Sequence, residues 1–284
     1  MKVMKLNHCE YLTYIPNVSS LPNLEELSIN NCHNLITIHN SIGYLNKLEI
    51  LIAKDCSKLE SFPPLQLASL KTLELYDCFR LKSFPELLCK MINIKEIRLS
   101  ETSIRELPFS FQNISELRDL IICQDEMLRF SAKMELSKLS KITASYCRLL
   151  LPNHNDSFNS TMFSNVDYLN LKYNNFSDEC LPLLLKWCVN VRYLDIWGSN
   201  LKILPECLNE CHLLKVLNLS RCEYLEEIRG IPPNLERFSA RRCESLNSSS
   251  RRMLSSQVCC FILHYSLRYN ISYVINIVIY NMLN

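Results

Sequence analysis

Glycine is nearly missing from this chain: among 284 residues only Gly43, Gly198 and Gly230 lack a side chain. Loops that cradle phosphate need closely spaced glycines, so that backbone N–H groups can approach the ligand. Neither G-x-x-x-x-G-K-S/T nor G-x-G-x-x-G occurs, and G-x-S-x-G and H-E-x-x-H are absent too. The six histidines are scattered, which leaves no catalytic constellation to read. A net charge of +2 lacks the basic excess of a nucleic-acid binder. With 48% apolar residues, the composition is not that of a disordered chain either. The opening stretch MKVMKLNHCEYL has no apolar run of signal-peptide length, so a reducing intracellular setting is expected. There the 15 cysteines, an odd number, are expected as thiols and not as a disulfide framework.

Leucine, by contrast, returns in phase. The frame L-x-x-L-x-L-x-x-C/N-x-x-L-x-x-I/L/F-P can be laid down eleven times, from Met1, Leu24, Leu48, Leu70, Ile94, Leu117, Leu139, Val166, Val191, Leu214 and Leu235. The intervals from Leu24 to Leu235 average about 23 residues, inside the window of leucine-rich repeats. Repeat four matches fully, with Leu70, Leu73, Leu75, Cys78, Leu81, Phe84 and Pro85. Repeats five and nine are shortened (Thr102-Ser-Ile104 and Ser199-Asn-Leu201), six and seven are degenerate, and 152–165 reads as an inserted polar loop.

The L-x-L centre alternates with period two, the mark of a short strand buried on one face. One such unit cannot bury its leucines alone, whereas stacked units share a core. The expected fold class is therefore α/β: a leucine-rich-repeat solenoid, a curved horseshoe of about eleven repeats. Its parallel sheet lines the concave side, and the convex returns are irregular or short-helical, as at 180–190. The recurring proline suits an extended return and speaks against regular ladder pairing there. Residues 1–256 form one repeat domain in this reading, and 257–284 an atypical hydrophobic tail.

Seven cysteines take the in-turn position: Cys9, Cys32, Cys56, Cys78, Cys147, Cys222 and Cys243. Each thiol is expected to point inward and lend a weak S–H donor to a backbone carbonyl of the turn. Asn174 fits the same role with a stronger donor. The rival is a redox or metal ladder, since strands about 4.8 Å apart bring such thiols within disulfide reach. Parallel side chains and a reducing compartment argue against it. Cys180, Cys188, Cys207 and Cys211 fall on adjacent returns and could in principle hold zinc. Their C-x7-C and C-x3-C spacings are not those of a usual knuckle, and their apolar neighbours suit plain packing.

What remains is surface. The x residues around L-x-L point out of the sheet. From repeat eight onward they are Tyr168, Lys172, Tyr173, Tyr193, Asp195, Trp197, Arg221, Arg237 and Arg241. Tyr, Trp and Arg dominate binding hot spots, so this strip is the candidate partner-binding face. The bland alternative is that strands favour aromatics and that arginines keep a surface soluble.

The units L-x-x-L-x-L-x-x-C-x-x-L-x-x-F-P, alternating with T-x-I-x-x-L-P at 102–108, resemble the leucine-rich region of plant disease-resistance proteins of the TIR–NB–LRR class. Stretch 190–254, NVRYLDIWGSNLKILPECLNECHLLKVLNLSRCEYLEEIRGIPPNLERFSARRCESLNSSSRRML, is similar to legume members and to the class of the tobacco-mosaic-virus resistance protein. The resemblance implies an intracellular module without enzymatic activity or cofactor, cytoplasmic and also nuclear. Its partners would be a pathogen effector, a guarded host protein, or a receptor's own nucleotide-binding domain, with no nucleic acid or membrane. No phosphate loop or TIR region is present, so only recognition and autoinhibition carry over. The runner-up is an F-box-type ubiquitin-ligase adaptor, faintly echoed by Phe176-Ser-Asp178. An extracellular receptor ectodomain would want glycine-rich L-x-G-x-I-P units, which are absent. The tail from Val258 is rich in Tyr, Asn and Ile and reads as translated intron or out-of-frame sequence. A membrane anchor is its rival, although Arg268 and His264 interrupt the apolar run.

Overall fold

A strand forms at each of the eleven frames in the computed structural model, which describes residues 1–123, 127–128, 130, 134–149, 163–175 and 178–254. Most of the polar stretch 152–165, Phe176 and Ser177, and the tail 257–284 lie outside the described residues. The chain divides into two compact units. One holds residues 1–143 with 147–165, the other 144–146 with the residues from 166 onward. The division falls at the degenerate repeats and the polar stretch.

In the first unit, Val3–Lys5, Glu26–Ser28, Ile50–Ile52, Thr72–Glu74, Glu96–Ser100 and Asp119–Cys123 pair in parallel in chain order. In the second, Tyr168–Asn170, Tyr193–Asp195, Val216–Asn218 and Arg237–Ser239 do the same. Lys141–Ser145 is the remaining frame strand. The register stacks like on like: Met4, Leu27, Leu51 and Leu73 form one column, and Leu169, Leu194, Leu217 and Phe238 another. Leu27, Leu51, Leu169 and Leu194 are fully buried. Each such leucine stabilises the stack by roughly 1.5–3 kcal/mol, and each unit is thus a parallel-sheet solenoid with its core behind the strands.

The returns are short. Described residues form 3-10 turns at Asn40–Tyr44, Phe109–Asn113 and Glu206–Glu210, and an α-helix at Cys180–Trp187 that buries Leu181, Leu184, Leu185 and Trp187. Pro182 is tolerated in that helix because first-turn N–H groups have no helical partner. The returns also pair more than the prolines suggest. Tyr14–Ile15 joins Thr37–Ile38, and Ile203–Leu204 joins Glu227–Ile228, each as a two-residue parallel ladder. Pro16 and Pro205 follow Ile15 and Leu204 directly, so proline ends these ladders and does not prevent them: it removes only its own N–H.

After ten of the frame strands one described residue takes the left-handed conformation. His8, Asn31, Asp55, Asp77, Glu101, Tyr146, Tyr173, Gly198, Arg221 and Arg242 have φ between 52° and 67°. Each stands directly before the in-turn position. Asn and Asp visit this region readily, while bulkier residues do so at a cost of about 1–2 kcal/mol. The reversal aims the next side chain inward and puts its own at the rim of the open face.

Candidate protein-binding face

Six of the seven in-turn thiols reach back one repeat. Cys32 donates to Leu6 O (2.8 Å), Cys56 to Ile29 O (2.9 Å), Cys78 to Ala53 O (3.2 Å), Cys147 to Ile122 O (3.4 Å), Cys222 to Ile196 O (3.2 Å) and Cys243 to Leu219 O (3.1 Å). Asn174 Nδ2 donates to Ala144 O at 2.7 Å, and Ser199 Oγ to Leu171 O at 3.1 Å. The shorter contact thus goes to a core residue at the end of the preceding repeat's strand, while Cys32, Cys56 and Cys78 also keep a longer contact with a carbonyl of their own turn, at 3.6–3.7 Å. Cys9, half-buried, contacts Asn7 O at 3.8 Å. Each donor satisfies a carbonyl that the sheet has turned into the core, where an unpaired polar group costs about 1–3 kcal/mol.

Burial pushes Cys188 and Cys222 up to about 12 from an ordinary thiol value of 9. As pH rises above 9, unfolded thiols lose protons first, so the folded chain binds more protons and its stability falls. Urea unfolding at pH 9, 10 and 11 under reducing conditions should show a loss of about 1 kcal/mol per pH unit for each such thiol. The slope should be shallower in Cys222→Ser; a flat profile in the native chain would contradict burial of the thiols. Among the described residues, no group of three His, Cys, Asp or Glu could hold a metal ion. Cys211 Sγ contacts Cys207 O at 3.7 Å, a packing contact within one return.

Seven of the nine face residues fall into three groups, and Lys172 with Asp195 makes a fourth, all in the second unit. Tyr168 and Tyr193, paired in register, stack with centroids 4.3 Å apart and planes at 8°. Tyr173 meets Trp197 edge-on at 4.5 Å, and the Arg221 guanidinium lies over the Trp197 ring at 5.2 Å. Arg237 and Arg241 are exposed and form no ion pair among the described residues, as does their neighbour Arg242. The left-handed turns explain the second group: Tyr173 and Arg221 are turn residues whose side chains flank the sheet on either side of Trp197.

Asp195 is placed differently from the sequence expectation. It is only 1% exposed. Its carboxylate accepts from Tyr193 Oη (3.1 Å), Trp197 N (3.1 Å) and Asn218 Nδ2 (3.0 Å), and Lys172 Nζ lies 3.2 Å away. It is the buried hub that orients Tyr193, Trp197 and Lys172, and no partner can reach it. Burial and this carboxylate together raise the Tyr193 phenol above its ordinary range, which keeps it a donor.

Sequence reading missed Tyr146, which stacks on Tyr173 at 4.7 Å and 13° and extends the aromatic row. Cys147 already marked the turn of repeat seven, but the expected face began only at repeat eight and so left Tyr146 out. The left-handed residue before each of ten described in-turn positions was also missed. Asn31, Asp55 and Asp77 at that place were its available signal.

Residues 66–250 match the family described as disease resistance protein RPS4B-like, leucine-rich repeats. The match covers more than half of the chain. This chain belongs to that family.

RPS4 of Arabidopsis thaliana is 30% identical over 88% of this chain and 20% of its own length. RPP5 of the same plant is 31% identical over 84% of this chain and 16% of its own. TMV resistance protein N of Nicotiana glutinosa is 26% identical over 83% and 25% respectively. The chain therefore spans a quarter or less of these relatives. Among solved structures, TLR13 in its ssRNA13 complex superposes with a TM-score of 0.57 at 18% identity, over 84% of this chain and 39% of TLR13. The leucine-rich repeat domain of the type III effector XopL gives 0.50 at 19%, over 82% and 77%. These two structures bear on the fold alone. Such repeats are interaction scaffolds, and no described helix is long and apolar enough to cross a membrane.

Proposed function

We propose that this leucine-rich-repeat region serves as a protein-recognition module of intracellular plant immunity, sensing an effector or an effector-altered host protein. It would also restrain the nucleotide-binding domain of a TIR–NB–LRR-type receptor, in the cytoplasm and nucleus. Family membership supports the setting. The observation that carries the surface is the row Tyr146, Tyr173, Trp197 and Arg221, aromatic and cationic groups held in fixed mutual contact. Aromatic anchors ordered before binding lose little side-chain entropy on contact, which favours them as hot spots. Recognition of two receptor states requires a difference in affinity between them, and a rigid face supplies it more sharply than a soft one.

The test is the double substitution Trp197→Ala with Arg241→Ala in the chain expressed in plant cells, followed by cross-linking and quantitative recovery of bound proteins. A specific partner should fall at least 30-fold, the effect of about 2 kcal/mol expected for one hot-spot residue. The melting temperature should stay within about 2 °C, well below the shift of a core lesion. Lys186→Ala with Glu206→Ala, on the returns, should leave recovery unchanged. Equal loss from both pairs would remove the face from consideration.

A further inference from the structure

At eight junctions the parallel ladder is opened by a fork. Two successive N–H groups ahead of a strand donate to one carbonyl oxygen of the repeat before. Glu25 and Glu26 do so to Lys2 O, Glu49 and Ile50 to Glu25 O, Lys71 and Thr72 to Glu49 O, and Arg118 and Asp119 to Lys95 O. The same fork recurs at Ser140 and Lys141 in the first unit, and at three junctions of the second. In all eight, the N···O distances lie between 2.7 and 3.1 Å. Within the first unit, one described junction lacks it: the N–H groups of Lys95 and Glu96 make no such bond, and Lys71 O accepts none. The strands there share a single register pair, Glu74 with Arg98, where neighbouring junctions share three or five. Further along, Asp77 N reaches Ser100 O at 2.9 Å, so the opening is local.

A cleft of about 700 Å³ lies at this opening, lined among others by Lys71, Thr72, Glu74, Ile92, Lys95 and Arg98. Lys71 is engaged by Glu49 at 2.6 Å, and Arg98 by Glu96 at 2.6 Å with Glu74 nearby. Lys95 has no ion pair among the described residues, and Ile92 beside it is 57% exposed.

We infer that this cleft is a binding site for an extended acidic peptide, one of whose carboxylate oxygens takes the empty place in the Lys95–Glu96 fork. The eight intact forks demonstrate that such a pair of N–H groups converges on one oxygen. The ammonium of Lys95 favours a charged oxygen over a neutral one, because charge-assisted hydrogen bonds are about twice as strong. Lys71 O supplies the complementary acceptor for a peptide N–H, so the guest adds main-chain bonds as an inserted strand does. Ile92 provides an apolar wall for a flanking side chain. The site lies in the first unit and is independent of the aromatic face.

The test uses the whole chain, isotope-labelled, with acetyl-Val-Glu-Val-amide and its neutral isostere acetyl-Val-Gln-Val-amide as probes. In the free protein, the amides of Lys95 and Glu96 should exchange with solvent at least 100-fold faster than those of Lys71 and Thr72. The glutamate peptide should shift both amides saturably and bind about 10-fold more tightly than the glutamine peptide. Lys95→Gln should abolish that preference while leaving the fast exchange intact. Exchange as slow as at Lys71 would mean that the fork is closed on Lys71 O, which overturns the site. Equal affinity for the two peptides, or shifts no larger than those at Thr72, would overturn it as well.

Discussion

Gly43→Ala is expected to destabilise the first unit by about 3 kcal/mol, the upper range for forcing extra volume into a packed interior. A Cβ on Gly43 would stand 1.9 Å from the carbonyl oxygen of Pro64 and 3.1 Å from its carbon, both backbone atoms of the next return. No rotamer change can relieve that contact. The two returns are also tied at this point, because Gln66 N donates to Gly43 O at 2.8 Å. Relief therefore requires breaking a hydrogen bond or shifting a whole repeat. Urea unfolding should show a lowered midpoint at unchanged slope. Gly198→Ala is the informative comparison. Its new Cβ meets a Tyr173 ring carbon at 2.9 Å, and φ there is +67°. A ring can move and left-handed alanine costs only about 1–2 kcal/mol, so the loss should be smaller. A Gly43→Ala chain that melts like the native one would mean that the returns are not in contact there.

The near absence of glycine thus reads differently once positions are known. In the sequence it excludes phosphate loops. In the structure, Gly43 and Gly230 stand where one return presses on the next, a Cβ on Gly230 falling 2.6 Å from Glu206 O. The ten left-handed turns, which glycine would fill without strain, are given to other residues at nine places. Four of those nine are Tyr146, Tyr173, Arg221 and Arg242, and the first three build the aromatic row. Strain of this kind persists where surrounding structure holds it, and it concentrates at functional positions.

The strands, their register and the inward thiols were legible because each follows from a local period repeated many times. Leu27 can only face Leu51 once both repeats have the same phase. The partner of each thiol was not legible: Cys222 and Ile196 are joined through the stacking offset, which no single repeat encodes. Asp195 shows the limit more sharply. Its place in the frame is an outward one, like that of Asn170, and period two alone gives it to solvent. Tyr193, Lys172 and Asn218 close over it from its own strand and both neighbours, and three such side chains are enough to bury a carboxylate. The open fork at Lys95 was invisible for a related reason. The leucine columns on both sides are in phase, so nothing in the pattern marks where a ladder fails to close.

Asp195→Ala is expected to cost about 3–5 kcal/mol, the range for removing one partner of a buried ion pair. The alanine leaves Trp197 N, Tyr193 Oη and an Asn218 N–H without their acceptor, and Lys172 without its counter-charge. Lys172→Met should cost much less, since the lysine side chain is 37% exposed and water replaces much of the lost interaction. In the double variant, the coupling between the two should be about 1 kcal/mol, because three of the four partners of Asp195 are neutral donors that remain. Asp195→Asn separates charge from shape: it keeps an acceptor for Trp197 N but loses the attraction for Lys172. If the carboxylate holds the face by hydrogen bonding, Asp195→Asn should retain most of the stability and also the Tyr173–Trp197 contact, read as Trp197 fluorescence. If it holds the face by charge, Asp195→Asn should behave like Asp195→Ala. The first outcome is expected, because the three neutral donors outnumber the one half-exposed cation. A loss of under about 1 kcal/mol for Asp195→Ala, the size of a single exposed hydrogen bond, would show that Asp195 is not the hub of this face.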